Sequence, residues 1–243
     1  MTIEQRKIDV LNNGYVRLLD VMGDDLSVVN NARASYDRQS SELDDKDKRL
    51  IAFLAREGHL APFRHPRLQM EVYAPLVIAR QWWRYAIDSA HIEDGTPWSE
   101  SSRRYITEKT EFYVPQADEW RSKPANSKQG SGAPISEFTG ARFTREMMGY
   151  IEEGEALYEE AMDAGIAPEQ ARLFLPAYGL MVRWRYTSSL QAVCHMLNQR
   201  LASDSQYEFQ QYAKAVLELA REHFPISIEA LVNEPGVPAN AQD

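Results

Sequence analysis

The chain has 243 residues, 44% hydrophobic and 26% charged, a soluble globular balance with length for one sizeable core. A formal net charge of -9 excludes a general nucleic-acid surface, which is normally basic, so local arginines need local anionic partners. One cysteine, Cys194, excludes an internal disulfide and a Cys-based zinc site, and no apolar run approaches the roughly 18–20 residues of a membrane span.

"KIDVLNNGYVRLLDVMG" predicts two short strands around the turn Asn12, Asn13, Gly14. Asp25, Leu26 and Ser27 open a short helix that runs to Ala34, with Ser27 as its N-cap. "DDKDKRLIAFLAREGH" sets Leu50, Phe53 and Leu54 on one helical face and stops at Gly58. "RLQMEVYAP" alternates as a strand, and Pro75 then suits the first turn of a helix "LVIARQWWRYAI". "TEFYVP" reads as a further strand. Residues 116–136, "QADEWRSKPANSKQGSGAPIS", hold little that fills a core; they predict a flexible loop, either a lid or a disordered insertion.

A long helix over about 137–164 carries Phe143, Met147, Tyr150, Ile151, Leu157 and Tyr158 at near-helical spacing and ends at Gly165. Pro168 begins a short helix, "EQARLFLP". "LMVRWRYTS" reads as a strand, "SLQAVCHMLNQRL" and "SDSQYEFQQYAKAVLELAREHF" as helices. With no internal repeat, the expectation is a single α+β catalytic domain over 1–243, helix-rich with a mainly antiparallel sheet, and a tail at 232–243. The N-terminus "MTIEQRKIDVL" lacks the apolar segment of a signal peptide, so a cytoplasmic protein with no membrane partner is expected.

Several residues can carry chemistry. Arg80, Gln81 and Arg84 share a helical face, with Trp82 and Trp83 on other parts of the same surface. Such a group either binds phosphate, because guanidinium donors match anionic oxygens in pairs, or forms surface salt bridges. Ser99 to Arg104 supply hydroxyls, a carboxylate and cations in a short turn, which suits a phosphate cradle or a polar loop. Arg103 alone reads as solvated. Arg172 lies among apolar residues in "EQARLFLP", and Arg200 follows an apolar helix; each is a structural ion pair or a ligand contact. His59 and His65 do not have a zinc-ligand spacing, and no metal site is expected. There is no nucleophile elbow, no phosphate loop with GKS or GKT and no GxGxxG turn, so a bound dinucleotide would not sit in a Rossmann site. Cys194 reads as a buried, inert thiol.

"KIDVLNNGYVRLLDVMGDDLSVVNNARASYD", "GHLAPFRH", "APLVIARQWWR", "SESSRRY", "EQARLFLP" and "LNQRLASDSQYEFQQYA", in this order, resemble the flavin-dependent thymidylate synthases over nearly the whole chain. The resemblance implies an α+β subunit in a homotetramer with active sites between subunits. It implies FAD as cofactor, dUMP as substrate, methylenetetrahydrofolate as carbon donor and NADPH as reductant, with no nucleic-acid polymer as partner. By matching motif, Gln81, Trp82, Trp83 and Arg84 are nucleotide contacts. Glu100, Ser101, Ser102, Arg103 and Arg104 form the phosphate and sugar cradle, joined by Arg172. Arg200 is the catalytic arginine, placed to stabilise negative charge on the uracil ring, where a fixed cation helps most. Ser35, Ala61, Arg84, Tyr85, Ala86, Glu100, Ser189, Leu190, Gln191 and His195 fall at flavin positions.

The departures from the family pattern are as informative. The family signature has RHR, a short spacer and Ser; here Arg84, Tyr85 and Ala86 lead into a longer stretch before Ser102. The inserted "AHIEDGTPW" and its His91 are candidates to rebuild the flavin wall. His195 stands where Asn is usual, Gln191 replaces an arginine, and Asp204 stands where a histidine is common. The uracil side is therefore kept and the flavin side altered. That pattern implies C5-methylation of dUMP or of the ribonucleotide UMP, the latter as in nucleoside-antibiotic pathways. The alternative is a degenerate member that binds nucleotide or flavin without turnover.

Overall fold

The structure is a computed structural model and describes residues 6–34, 39–85, 98–101, 109–125 and 130–233. Two segments either side of a tight turn start the sheet, as their alternation predicts: β1 (Lys7–Val10) and β2 (Gly14–Met22). β2 pairs with β3 (Arg67–Pro75), β3 with β5 (Met181–Ser189), and β5 with β4 (Trp98–Glu100). All four pairings are antiparallel, and the order is β1-β2-β3-β5-β4. Leu19 is a bulge in β2 opposite Met70 and Gln69.

The helices explain which sheet face is apolar. They are α1 (Asp25–Arg33), α2 (Asp45–Arg56), α3 (Leu76–Trp82), α4 (Glu137–Asp163), α5 (Pro168–Ala171), α6 (Leu190–Arg200), α7 (Tyr207–His223) and α8 (Pro225–Leu231). Val16, Leu18, Leu68, Met70, Val72, Ala74, Val182, Trp184 and Tyr186 alternate along the strands into one buried core. Trp82 of α3 fills its centre, stacked on Phe209 with ring centroids 5.1 Å apart and edge-on to Trp184 at 5.6 Å. Gly14 lets α7 approach the sheet: a Cβ there would lie 1.9 Å from the Tyr212 hydroxyl, which donates to the Tyr73 carbonyl at 2.9 Å.

The opposite sheet face is polar. Glu71 is 3% exposed and accepts from Tyr15 Oη at 2.9 Å and from Arg185 Nε at 2.8 Å, with Arg17 also paired to it. Burial pushes the Glu71 carboxyl up, but the Arg185 and Tyr15 hydrogen bonds and the Arg185 and Arg17 charges outweigh it and hold it below the usual range.

Several expectations are corrected. Asp24, not Ser27, caps α1: Ser27 N donates to Asp24 Oδ1, and Ser27 Oγ accepts from Asp24 N, a reciprocal box that puts Ser27 inside the helix. Phe53 is 44% exposed, because the inner face of α2 runs through Ile51 and Leu54. Pro75 is the N-cap of α3 rather than a residue of its first turn, and α3 ends at Trp82, with 83–85 tightening into a 3-10 turn. "TEFYVP" contributes one bridge, Phe112 to Leu180, and no ladder. α4 keeps its extent, but Phe143, Tyr150 and Leu157 stay exposed.

β4 and α8 were not anticipated from sequence. α8 is fixed by tertiary contact, for Asp25 at the start of α1 accepts from Ile226 N and Ser227 N at 2.8 and 2.9 Å. In the 116–136 segment, Ser122 N donates to Ala133 O and Ile135 N to Trp120 O, while Arg121 lies over the Tyr207 ring at 4.1 Å. Its residues 126–129 and those of the tail from 234 lie outside the described residues.

Candidate functional site

Three segments distant in sequence meet beside the aromatic core. The first is the end of α3 and the 83–85 turn. Because α3 tightens there, Trp82 points into the core at 0% exposure while Trp83, 48% exposed, and Arg84 face outward. The second is β4, whose alternation turns Trp98 and Glu100 to the same side as Tyr186 and Trp184. Trp98 stacks on Trp184, with centroids 4.9 Å apart and planes at 15°, and meets Trp83 edge-on at 5.1 Å. The third is the end of α6. Arg200 lies over the Tyr85 ring at 5.2 Å and the Phe209 ring at 4.9 Å.

Arg200 has the electrostatic setting of a ligand-directed cation. Two aromatic faces hold its guanidinium, and its Nε is buried with no hydrogen-bond partner among the described residues. Gln81 Nε2 donates to Gln206 Oε1 at 2.5 Å, and Gln206 Nε2 in turn donates to Glu208 Oε2 at 2.9 Å. The Gln81 amide is thus held by its nitrogen, and its oxygen has no hydrogen-bond partner among the described residues. Gln206, Glu208, Pro115, Trp120 and Arg121 also line a cleft of about 350 Å³, so the 116–136 segment borders this region.

Of the residues expected to form a phosphate and sugar cradle, Glu100 and Ser101 lie among the described ones. Ser101 N donates to the Arg183 carbonyl at 2.8 Å, and Ser101 Oγ accepts from Arg183 N at 3.2 Å, which pins the end of β4. Glu100 is exposed and accepts from Trp98 Nε1 at 3.2 Å. Ser102, Arg103, Arg104, Ser35, Ala86 and His91 lie outside the described residues.

A second cluster forms on α6, whose first residue, Leu190, donates its N–H to Pro66 O at 2.9 Å. Ser189 caps the helix by accepting from Ala192 N. Arg64, from the turn that begins at the exposed Ala61, donates to Gln191 Oε1 at 2.7 Å. A cation therefore stands again beside the position where the family arginine is missing. Gln191, His195 and Gln199 follow at one-turn intervals along α6.

Three of the residues expected at the site are placed otherwise than the rest. Trp82 and Leu190 have 0% exposure; they shape the site from behind and have no surface to offer a ligand. Arg172 is exposed rather than enclosed by apolar side chains, because "EQARLFLP" turns outward and leaves Leu173 81% exposed. Its Nε donates to Glu169 O at 3.3 Å, and no described contact joins it to the other candidates. Gln206 and Gln199 were missed from sequence, since their importance lies in whom they touch. Among the described residues, no group of His, Cys, Asp and Glu is placed to hold a metal ion, and no helix is long and apolar enough to cross a membrane.

Known proteins resemble this chain over nearly its whole length. The family described as Thymidylate synthase complementing protein matches residues 17–226. A flavin-dependent thymidylate synthase from Thermotoga neapolitana is 35% identical over 93% of this chain and 94% of its own. One from Thermus thermophilus is 34% identical over 90% of this chain and 76% of its own. Among solved structures, a UMP/dUMP methylase, PolB, from Streptomyces cacaoi bound with 5-Br dUMP superposes with a TM-score of 0.77 at 27% identity, covering 92% of this chain and 96% of that one. On the family match and these identities over nearly its full length, the chain belongs to the flavin-dependent thymidylate synthase family.

Proposed function

We propose that the protein is a flavin-dependent enzyme that methylates C5 of a uracil nucleotide, dUMP or UMP. FAD is the cofactor, NADPH the reductant and methylenetetrahydrofolate the carbon donor. The observation that carries this reading is Arg200, a cation whose buried Nε has no hydrogen-bond partner among the described residues, held against the turn that bears Arg84. Such a group suits negative charge that develops on a uracil ring and needs no reorganisation to meet it. The solved methylase that superposes on this chain is bound with 5-Br dUMP in one structure and 5-Br UMP in another, which supports either sugar.

The remaining roles follow from the donor set. Gln81, anchored by Gln206, offers its carbonyl oxygen to a uracil N3–H. Arg84, Ser101, Ser102, Arg103 and Arg104 supply the donors that a phosphate requires, and Glu100 an acceptor for a ribose hydroxyl. Trp83 and Trp98 wall the nucleotide side and exclude water. The chain fits a flavin on the exposed side of α6, where Gln191, His195 and the Arg64 guanidinium present N–H groups beside Ala61. When bound, the flavin supplies the hydride that completes the methyl group. No cysteine nucleophile is required, in keeping with a single, buried Cys194.

Assembly into a homotetramer with shared sites belongs to the same proposal. Its support is the unburied apolar surface on α4 and beyond it, with Phe143, Tyr150, Leu173, Phe174 and Tyr178 all exposed, and Arg172 in the same region. The test is an assay with FAD, NADPH and methylenetetrahydrofolate, with UMP and dUMP in parallel. A 5-methyl nucleotide from at least one is expected. No product from either overturns the proposal, and retained flavin without product would mark a binding protein instead.

A further inference from the structure

Gln199, near the end of α6, was singled out neither by spacing nor by family resemblance, yet it joins two residues at which this chain departs from its family. Tyr85 stands in the signature where histidine is expected, and His195 stands where asparagine is usual. Tyr85 Oη donates to Gln199 Oε1 at 2.6 Å, and Gln199 Nε2 lies 3.2 Å from His195 Nε2. Tyr85 is 7% exposed, its ring centroid 6.0 Å from that of His195, whereas His195 and Gln199 are exposed.

Hydrogen-bond polarity fixes the rest. The phenol gives its proton to the amide oxygen, so the amide must turn its nitrogen, which has only protons to give, toward the imidazole. An imidazole that meets this N–H with Nε2 as the acceptor carries its proton on Nδ1. The phenol is buried, so the amide that it meets is anchored from within the core. Gln191 and His195, one turn apart on the same side, are flavin positions by resemblance, and Arg64 holds the far end of the row at Gln191.

We infer that Gln199 is a positioning residue that fixes His195 as its Nδ1–H tautomer, so that α6 presents an imidazole donor to the bound flavin in place of the histidine missing from the signature. The inference rests on the flavin reading above. The missing donor is thereby supplied from α6. Tyr85 is the buried inner anchor, and its ring also backs Arg200 at 5.2 Å.

The full-length protein, labelled with 15N-histidine and stripped of flavin, tests this by the ring-nitrogen chemical shifts; His195→Gln identifies the signal. In a buffer alkaline enough to keep histidines neutral, wild type is expected to show the His195 proton on Nδ1. Gln199→Glu, which keeps an acceptor for Tyr85 but removes the donor to His195, is expected to move the proton to Nε2. Gln199→Leu is expected to give a mixture. A wild-type proton on Nε2, or spectra indifferent to both substitutions, overturns the inference. FAD titration by flavin fluorescence adds the second arm, with Gln199→Leu expected to bind about five- to tenfold more weakly, the loss of one hydrogen bond. Unchanged affinity removes the flavin as recipient of the donor. A wild-type protein that binds no FAD defeats the flavin reading itself, whereas the tautomer is read without flavin.

Discussion

Arg200 and Tyr85 are separated by more than a hundred residues in sequence, yet the guanidinium carbon of one lies 5.2 Å from the ring centroid of the other. That contact joins the 83–85 turn to the end of α6. Aromatic support holds the cation in one place while leaving its N–H groups for a ligand.

Arg200→Ala is expected to lower kcat for 5-methyl nucleotide formation by about a hundredfold or more, as removal of a preorganised charge-stabilising donor does. The fold is expected to survive. Loss of the two ring contacts costs about 1 kcal/mol, a shift of about 2–4 °C in Tm. Unchanged turnover would remove Arg200 from catalysis.

The two adjacent tryptophans are expected to behave oppositely. Trp82→Ala opens a cavity at the centre of the core and is expected to cost about 3–5 kcal/mol, visible as a large drop in the midpoint of urea denaturation. Trp83→Ala, at a position 48% exposed, is expected to change stability by less than about 1 kcal/mol while raising KM for the nucleotide. Equal stability losses would contradict the packing described above.

Gln206→Leu leaves Gln81 in place but removes its anchor. KM for the nucleotide is expected to rise about fivefold with kcat little changed, the pattern of a lost positioning hydrogen bond. Steady-state kinetics with varied nucleotide decides it.

Glu71 sets an acid limit on stability. Its carboxyl is held below the ordinary value in the folded chain by Arg185, Tyr15 and Arg17, despite a burial that pushes it up. A lowered folded pKa means that its contribution is complete above the unfolded value and is lost as pH falls through the folded one. Thermal denaturation from pH 6 downward is expected to show this loss in wild type and less of it in Glu71→Gln. The variant is expected to be about 1–3 kcal/mol less stable at neutral pH.

Cys194 is expected to resist alkylation in the native protein. Burial pushes its thiol up to about 12, so little thiolate is present near neutrality. Iodoacetamide labelling followed by mass spectrometry should be slow in buffer and fast in guanidinium. Rapid native labelling would show that the α6 core opens.

How much of this was legible in the sequence varies with the range of the interaction. Local patterning determined β1, β2, β3 and β5 and most of the helices, because period-two or helical alternation and nearby Gly and Pro residues act over a few positions. Motif order likewise pointed to Gln81, Arg84, Glu100, Ser101 and Arg200 and to the family. β4 carried no such signal; three residues become a strand only because β5 offers an open edge, with Trp184 there to receive Trp98. α8 depends in the same way on Asp25, far away in sequence.

Within the site, the sequence by itself determined which residue types are available and left their orientation open. It could not tell Trp82 from Trp83, since one residue rotates a helical position by more than a quarter turn and only the packed core selects the inner one. It could not pair Gln81 with Gln206, Arg64 with Gln191, or Tyr85 with Gln199 and His195. Those hydrogen bonds close loops of many tens of residues, and a chain satisfies them only after the sheet and helices have stacked. The stretch from Arg80 to Tyr85 therefore belongs to both levels. Its composition comes from the sequence, and its division into a core tryptophan, an outward arginine and an anchoring tyrosine was decided by tertiary packing.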